Sequence, residues 1–251
     1  MPPSAEAPLA FPRLLELAAS AERQGRCRFT PFLTPPEAAL ALAAAKRSGT
    51  VAALFGGYPD AERQMARFCP PMAAETPFPI AVVEVAWPHG EAPEHRDLLG
   101  ALMGLGVKRA CTGDIVLGAQ RAYLFVESPL AGVVLDGLTQ AGRARLQVQL
   151  VDAMPQTALP QGEEIRFTVQ TARLDAVVAD GFHLSRGQAA ALIEGGAVKL
   201  RHALMLRPDA RVAEGDAISA RGHGRLKIDW IGEPTRKGRL PMKATRYGAP
   251  R

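Results

Sequence analysis

The sequence predicts an α+β protein of three regions, and three observations support that prediction. Residues 1–75 carry apolar residues at helical spacing between proline-rich breaks, which indicates a helical N-terminal domain. Residues 80–152 alternate between β-rich and helical segments in the order βαββαβ. Residues 163–251 begin with a strand, continue with two short helices and end in further strands and a basic tail. The proline-rich stretches 70–79 and 155–162 are expected to be linkers.

The N-terminal region is expected to be helical. Its first segment places four apolar residues on one helical face: Phe11, Leu14, Leu15 and Ala18. Thr34 is the expected N-cap of a second helix, which runs through residues 37–48 and ends at Gly49. Residues 50–55 form a short apolar piece, and residues 61–68 are predicted to form a third helix.

Four strands and two helices are predicted in the middle region. The strands are residues 80–87, 114–117, 122–126 and 146–150, and the helices are residues 95–104 and 130–141. This order is that of the ferredoxin-like fold. Many RNA-binding modules share that layout, but so do many enzymes and structural domains, so the fold alone does not decide the function.

The C-terminal region contains two predicted helices with clear end signals. The first is residues 172–180, with Thr171 as the expected N-cap. The second begins at Ser185, where Gln188 lies three residues on and completes a capping box, and it ends at Gly195-Gly196.

Arg186 conflicts with this pattern because it lies in the first turn of the second helix. The helix dipole disfavours a cation there by roughly 0.3–1 kcal/mol. A bound phosphate would remove the conflict, since it attracts both the arginine and the free N–H groups of the helix start. The alternative is that Arg186 simply points into solvent.

Several separated motifs of this region, in order, resemble the S4 (αL-type) RNA-binding domain. They are Arg173-Leu174-Asp175, Ser185-Arg186-Gly187-Gln188-Ala189, Val198-Lys199-Leu200, Gly215-Asp216-Ala217-Ile218 and Arg221-Gly222-His223-Gly224-Arg225. The resemblance implies a basic face for structured RNA. Its expected contacts are Arg173, Ser185, Arg186, Gln188, Lys199, Arg221, Arg225 and Lys227. The S4 family usually has Asn-Gly, a turn signal, where this chain has Arg201-His202, so we expect a different turn and an added phosphate contact from Arg201.

The charge distribution agrees with a polyanionic partner at one end of the chain. Residues 172–251 hold 15 Lys/Arg against 8 Asp/Glu, whereas residues 1–171 hold 15 against 17. A basic end alone also serves solubility. Residues 226–231 and 240–247 are expected to pair as a hairpin. Five tail bases either follow an RNA backbone or belong to a solvated terminus: Arg236, Lys237, Arg239, Lys243 and Arg246.

Composition excludes several classes of protein. No apolar run approaches the roughly 18 residues of a membrane span, and the first twenty residues lack the features of a secretory or transit peptide. Cys27, Cys69 and Cys111 have neither metal-ligand nor disulfide-framework spacing. We therefore expect buried free thiols in a cytoplasmic protein without a membrane partner.

Two stretches mimic catalytic motifs. His95-Arg96-Asp97-Leu98 matches the start of a kinase catalytic loop, but Leu102 replaces the metal-binding Asn, so a kinase is excluded. Arg173-Leu174-Asp175 is similar to the motif of the catalytic aspartate in pseudouridine synthases, but the flanking residues differ, and a carboxylate suits a helix start. The histidines lack zinc-ligand spacing: His89, His95, His183, His202 and His223. We predict no catalytic site, metal, cofactor or small-molecule substrate.

Three motifs of the middle region resemble the YlmH-type S4 proteins. They are His95-Arg96-Asp97-Leu98-Leu99-Gly100, Leu105-Gly106-Val107-Lys108-Arg109 and Gly113-Asp114-Ile115, and the ending Thr235-Arg236-Lys237-Gly238-Arg239 is similar as well. The resemblance implies a non-enzymatic protein of the large ribosomal subunit that binds rRNA and stalled peptidyl-tRNA in ribosome-associated quality control. The resemblance also implies links to cell division or photosystem function in some lineages.

This resemblance leaves alternatives open. Secondary RNA contacts are expected at Arg96, Lys108, Arg109, Arg236, Lys237 and Arg239. The middle motif equally fits a structural role, with Asp97 capping its helix. Two other functions remain as hypotheses. One is an RNA-modifying enzyme that uses the S4 domain as an anchor, and the other is a cell-division or photosystem-assembly adaptor.

Overall fold

The computed structural model describes residues 10–59, 61–73, 76–87, 91–158 and 162–248. The chain divides into an N-terminal unit, Met1–Leu159, and a C-terminal unit, Pro160–Arg251. Both units contain helices and antiparallel sheets, so the α+β prediction is confirmed. No helix among the described residues is long and apolar enough to span a membrane.

The N-terminal unit begins with two helices and a three-stranded sheet. Its elements are α1 (Phe11–Gln24), β1 (Arg28–Phe29), α2 (Pro35–Ser48), β2 (Val51–Phe55) and β3 (Met65–Cys69), and the sheet order is β1-β3-β2. The N–H and Oγ1 of Thr34 donate to Glu37 Oε2 at 2.7 and 2.6 Å. Gly49 ends α2 with a φ of 77°. The predicted cap and end of this helix are therefore confirmed.

The prediction of a third helix at residues 61–68, and thus of an all-helical N-terminal region, is wrong. β3 lies between β1 and β2, and all five of its residues are buried. Arg67 fits this position because its Nη1 donates to Thr76 O at 2.8 Å and its guanidinium lies 5.2 Å from the Phe78 ring. Strand pairing with distant segments therefore outweighs the local helical pattern.

Cys27 and Cys69 form a disulfide, so the prediction of free thiols is wrong for both. They are 42 residues apart in the sequence, but β1 pairs Arg28 with Phe68 and brings their neighbours together. Cys111 is partly buried and takes no part in this disulfide.

The rest of the N-terminal unit is a four-stranded antiparallel sheet with two helices. Its elements are β4 (Ile80–Ala86), α3 (His95–Gly104), β5 (Thr112–Leu117), β6 (Arg121–Glu127), α4 (Ala131–Gly137), β7 (Gln140–Ala141), β8 (Ala144–Arg145) and β9 (Gln147–Val151). The sheet order is β5-β6-β4-β9. The bounds of α3 match the prediction. The predicted helix at 130–141 is too long, because α4 ends at Gly137 and the chain then forms the small β7–β8 hairpin.

Each face of this sheet has its own core. α3 and α4 cover one face through Leu98, Leu102 and Val134. On the other face, Tyr123 and Phe125 are 1% exposed. They pack with residues that precede the sheet in the sequence, among them Phe32, Tyr58 and Met65. This face is therefore part of the protein core.

The C-terminal unit is a six-stranded antiparallel sheet with two helices. Its elements are β10 (Glu163–Val169), α5 (Leu174–Gly181), α6 (Arg186–Glu194), β11 (Val198–Leu200), β12 (Ala203–Leu204), β13 (Ala217–Ala220), β14 (Gly224–Ile231) and β15 (Leu240–Tyr247). The sheet order is β10-β15-β14-β13-β11-β12. The predicted β14–β15 hairpin is confirmed, and because β15 lies between β10 and β14, residues 240–247 form a paired strand of the sheet.

The two faces of this sheet differ. One face packs against α5 and α6 and includes Val177, Ile193, Leu226 and Ile228, all 0% exposed. Side chains alternate along strands, so the residues between them point to the opposite side. We call that side the outer sheet face.

Two local predictions in this unit are wrong. The N-cap of α5 is Arg173, not Thr171. The tight turn expected to be lost at Arg201-His202 is present, since β11 and β12 are joined by these two residues alone and their φ angles are 52° and 65°. Positive φ at both residues is what Asn-Gly normally supplies in a two-residue hairpin. Residues other than glycine are strained there by roughly 1–2 kcal/mol each.

Candidate nucleic-acid interface

The starts of α5 and α6 meet at the buried carboxylate of Asp175. Arg173 donates from Nε to Oδ1 at 3.2 Å and from Nη2 to Oδ2 at 3.1 Å. Arg186 donates from Nη2 to Oδ2 at 2.8 Å, and the Ala176 N–H donates to Oδ1 at 2.8 Å. The Asp175 side chain is 9% exposed, whereas those of Arg173 and Arg186 are 44% and 53% exposed. One carboxylate therefore fixes two arginines that remain open to solvent.

The same contacts set the ionisation of this group. Burial raises the pKa of Asp175, but hydrogen bonds from Arg173 and Arg186 outweigh that effect and hold the pKa below its usual range. The carboxylate is therefore charged at neutral pH, and the three residues together keep one positive charge.

Arg186 resolves its conflict with the helix dipole in a way that the sequence did not suggest. Its guanidinium turns to Asp175, rather than only into solvent or towards a phosphate at the helix start. Ser185 and Gln188 form the predicted capping box, with Ser185 Oγ accepting from the Gln188 N–H and Gln188 Oε1 accepting from the Ser185 N–H. Both side chains thus hold the turn that carries Arg186.

A second buried carboxylate holds Arg201. Arg201 donates from Nε to Asp216 Oδ1 at 2.6 Å and from Nη2 to Oδ2 at 2.9 Å. The Asp216 side chain is 8% exposed and that of Arg201 is 58% exposed. The Ala213 N–H also donates to Asp216, at 2.8 Å. This ion pair anchors the strained turn at Arg201 while its guanidinium stays accessible.

The segment 207–213 connects the two carboxylates. The Leu174 N–H donates to Ala210 O at 2.8 Å, and Arg173 forms an isolated β-bridge with Arg211. Arg201 Nη2 reaches Arg211 O at 3.4 Å. We call the resulting surface the arginine edge, and it consists of Arg173, Arg186, Arg201 and Arg211. Sequence reasoning missed the exposed Arg211, because only these contacts bring it to the others.

The other predicted contacts lie in other parts of the C-terminal unit, and the structure does not bring them to the arginine edge. Lys199 and Arg225 both pair with Ser219 across the outer sheet face, and Lys227 follows on the same side. The Arg225 guanidinium lies 4.8 Å from the Tyr247 ring. The Arg221 N–H donates to Ala197 O, beyond the C-terminal end of α6 and about 13 Å of helix from its start.

The predicted secondary RNA contacts of the middle region differ in their exposure. Arg96 and Lys108 are exposed, and Arg96 pairs with Glu94 at 3.0 Å. Arg109 donates to the carbonyls of Thr112 and Gly113 at 2.8 and 3.0 Å. Burial, reinforced by the nearby charge of Arg63, lowers its pKa to about 10. Its geometry supports the structural role that the sequence left open.

Other parts of the same motif have structural roles too. Asp97 Oδ2 accepts from the Glu94 N–H at 2.9 Å and caps α3. Asp114 accepts from the Tyr58 hydroxyl at 2.8 Å and from the Glu62 N–H at 2.6 Å. A Cβ on Gly113 would lie 2.7 Å from Phe32 Cε1. The motif therefore fastens the first part of the N-terminal unit to β5.

The tail bases belong to the β14–β15 hairpin. Arg236 and Lys237 are exposed in its loop, and Arg239 Nη2 donates to Thr168 O in β10 at 2.6 Å. In the described part of the chain, no three His, Cys, Asp or Glu residues gather as metal ligands. His89 lies outside the described residues.

Comparisons with known proteins place these features in a family. Residues 8–72 match the family described as "YlmH, N-terminal", and residues 73–154 match "Putative RNA-binding domain in YlmH". The "Ribosome-associated protein quality control protein P2" of Bacillus subtilis (strain 168) is 35% identical over 227 residues, which cover 89% of this chain and 88% of that protein.

A solved structure shows a similar fold for part of the chain. The "Cell division protein ylmH from Streptococcus pneumoniae" superposes with a TM-score of 0.51 and 22% identity, covering 62% of this chain and 99% of its own. The long alignment with the Bacillus relative and the two family matches together show that the chain belongs to the YlmH family.

Proposed function

We propose that this protein binds structured RNA without catalysing a reaction, and that it acts on the large ribosomal subunit in ribosome-associated quality control, with rRNA or tRNA as its ligand. The observation that carries the proposal is the arginine edge, where two buried carboxylates hold three exposed guanidinium groups beside Arg211. The family that matches residues 73–154 is described as an RNA-binding domain, and the Bacillus relative is named as ribosome-associated. Both support RNA of the ribosome as the ligand.

The arginine edge suits a phosphate backbone. Its four arginines exceed Asp175 and Asp216 by two charges, and the buried carboxylates hold three of the guanidinium groups in place. Pre-organised groups lose less conformational entropy on binding. Arg186 donates to Asp175 from Nη2, and its guanidinium has five N–H groups in total. The remaining N–H groups can donate to phosphate oxygens. Because A-form RNA hides its base edges from side chains, phosphate contacts and shape would dominate recognition.

The C-terminal unit is proposed to be an S4 domain and the part from β4 to β9 a ferredoxin-like domain. The latter would not stack bases on its sheet, since Tyr123 and Phe125 are buried. Its RNA contacts would come from exposed residues such as Arg96 and Lys108. Asp175 is proposed to be structural, because its carboxylate is occupied by two arginines and a backbone N–H.

The test compares Arg186→Gln with Arg143→Gln in binding to isolated ribosomal subunits and tRNA over a range of salt. Arg143→Gln is a matched control because it also removes one positive charge. The Arg143 side chain is 92% exposed and lies in the N-terminal unit, away from the arginine edge in the sequence. If Arg186 contacts a phosphate, its loss should weaken binding and reduce the slope of log affinity against log salt by about one. The control slope should equal that of the wild type.

Two results would overturn the proposal. One is wild-type binding that does not respond to salt, and the other is an Arg186→Gln variant that binds like the wild type. Equal binding to both ribosomal subunits would reject the assignment to the large subunit. Chemical modification of a nucleotide in the bound RNA by the protein would reject the non-enzymatic role.

A further inference from the structure

The outer sheet face ends in a groove beside Trp230. β14 pairs regularly with β15 up to Ile228 and Ala244, and then shifts so that Trp230 pairs with Lys243. Without the shift, Trp230 would share the core-facing side of Ile228. The bulge turns it to the outer sheet face, where it is 49% exposed. A large aromatic ring is thus directed into solvent by a specific backbone irregularity.

The position of the indole is fixed from below. A Cβ on Gly232 would overlap Trp230 Cη2, and it would lie 2.6 Å from Cζ2 and 2.9 Å from Pro241 Cγ. The ring therefore lies against the backbone of Gly232 and beside Pro241, which is possible because residue 232 lacks a side chain. The Gly232 N–H donates to Pro241 O at 2.9 Å and holds this segment in register. We call the surface of Trp230, Gly232 and Pro241 the tryptophan ledge.

Two cations line the groove beside the ledge. The groove has a volume of about 630 Å³, and its lining includes Arg166, Thr168 and Lys243. Arg166 and Lys243 pair with the same carboxylate, Glu164, at 2.9 and 2.7 Å, which leaves one positive charge. The groove and the adjoining loop together carry Arg166, Arg236, Lys237, Arg239 and Lys243 against Glu164, Asp229 and Glu233.

We propose that the tryptophan ledge binds one unpaired nucleotide of an RNA, with the base stacked on the Trp230 indole and a phosphate held by Arg166 and Lys243. This proposal rests on the RNA-binding function proposed above. An exposed aromatic ring next to cations is the combination that single-stranded nucleic acid requires, and every base has a face that can stack. An apolar peptide would instead leave the surrounding charges desolvated.

The fluorescence of Trp230 can report binding at the ledge. The chain has two tryptophans, so replacing the other one leaves Trp230 as the source of the tryptophan emission. Trp87 lies in the N-terminal unit and is 3% exposed. Its buried Nε1 has no hydrogen-bond partner among the described residues, so Trp87→Phe breaks no hydrogen bond there. In the full-length Trp87→Phe protein, a short oligouridylate should quench the remaining emission saturably. Heparin, a polyanion without bases, should bind without such quenching. Should Trp87→Phe fail to fold, the difference between the wild type and Trp230→Phe gives the same signal.

Two variants test the geometry. Gly232→Ala should displace the indole and remove most of the quenching while keeping the tryptophan. Trp230→Ala should bind oligouridylate about tenfold more weakly, and Trp230→Phe should recover part of that loss. Binding of oligouridylate without quenching, or equal quenching by heparin, would overturn the proposal.

The two proposals can fail separately. Trp230→Ala should leave the salt slope for structured RNA unchanged, whereas Arg186→Gln should leave the quenching unchanged. Loss of structured-RNA binding with intact quenching would reject the proposed function alone. Intact structured-RNA binding without quenching would reject the tryptophan ledge alone.

Discussion

Replacing Asp175 with asparagine tests whether one buried carboxylate organises the arginine edge. The amide oxygen can still accept from the Ala176 N–H, but its NH₂ group would face the donors of Arg186. Removing one partner of a buried ion pair costs about 3–5 kcal/mol. Both guanidinium groups here are about half exposed and can be hydrated, so we expect a loss of about 2 kcal/mol in the unfolding free energy of the C-terminal unit.

The loss should be measured by urea unfolding followed through Trp230 emission in the Trp87→Phe background, because that emission reports the C-terminal unit. For a unit of about 90 residues, 2 kcal/mol corresponds to roughly 10 °C in melting temperature. Asp180→Asn is the matched control, since it removes an exposed carboxylate from the same helix. It should change the unfolding free energy by less than about 0.5 kcal/mol.

The pH dependence sharpens the same test. Burial alone would raise the pKa of Asp175, but hydrogen bonds from Arg173 and Arg186 lower it below the ordinary 3.8. A carboxyl with a lowered folded-state pKa stabilises the protein above its unfolded pKa, and this contribution disappears as the pH falls through the folded value. The gap between wild type and Asp175→Asn should therefore be constant near neutrality and shrink below about pH 4. Equal stability at pH 7, or a gap unchanged in acid, would refute the reasoning.

Three further changes have defined outcomes. Cys27→Ser should lower the unfolding free energy of the N-terminal unit by about 4 kcal/mol in the absence of reductant, because the disulfide to Cys69 links residues 42 positions apart. A wild-type melting temperature that dithiothreitol does not lower would contradict this. His183→Gly should stabilise the C-terminal unit by about 1 kcal/mol by relieving a φ of 57°, and a lower melting temperature would refute it. Glu84→Gln should destabilise the N-terminal unit by about 1–2 kcal/mol at pH 7. The Tyr123 hydrogen bond is the main reason that the pKa of Glu84 is lowered, so this effect should fade below about pH 4, and a pH-independent effect would argue against it.

Elements with local end signals were predicted well from the sequence. The bounds of α3 were found, and so were the Thr34 cap of α2 and the capping box at Ser185. Each depends on residues within three or four positions of one another, so the sequence contains the whole interaction. The hairpin of β14 and β15 was also found, because two alternating segments flank a short basic turn.

Elements that depend on distant partners were predicted poorly. Residues 65–69 form a central strand because β1 and β2 pair with it, although the local spacing fits a helix. The same pairing brings Cys27 and Cys69 together. At Arg201-His202, the ion pair with Asp216 accompanies a strained turn that residue preference alone would not suggest.

The candidate site shows the same division. Motifs in the sequence identified Arg173, Arg186 and Arg201 as RNA-binding candidates. They did not reveal that Asp175 and Asp216 hold these side chains, or that Arg211 joins them.

The sequence by itself determined the α+β class, the capped helices and the excess of positive charge in the C-terminal part, because these follow from composition and from contacts between near neighbours. Only the tertiary structure decided which cations share a surface and which way Trp230 points. Surfaces are assembled from segments distant in the chain, and a single bulge in β14 reverses the face that a side chain occupies.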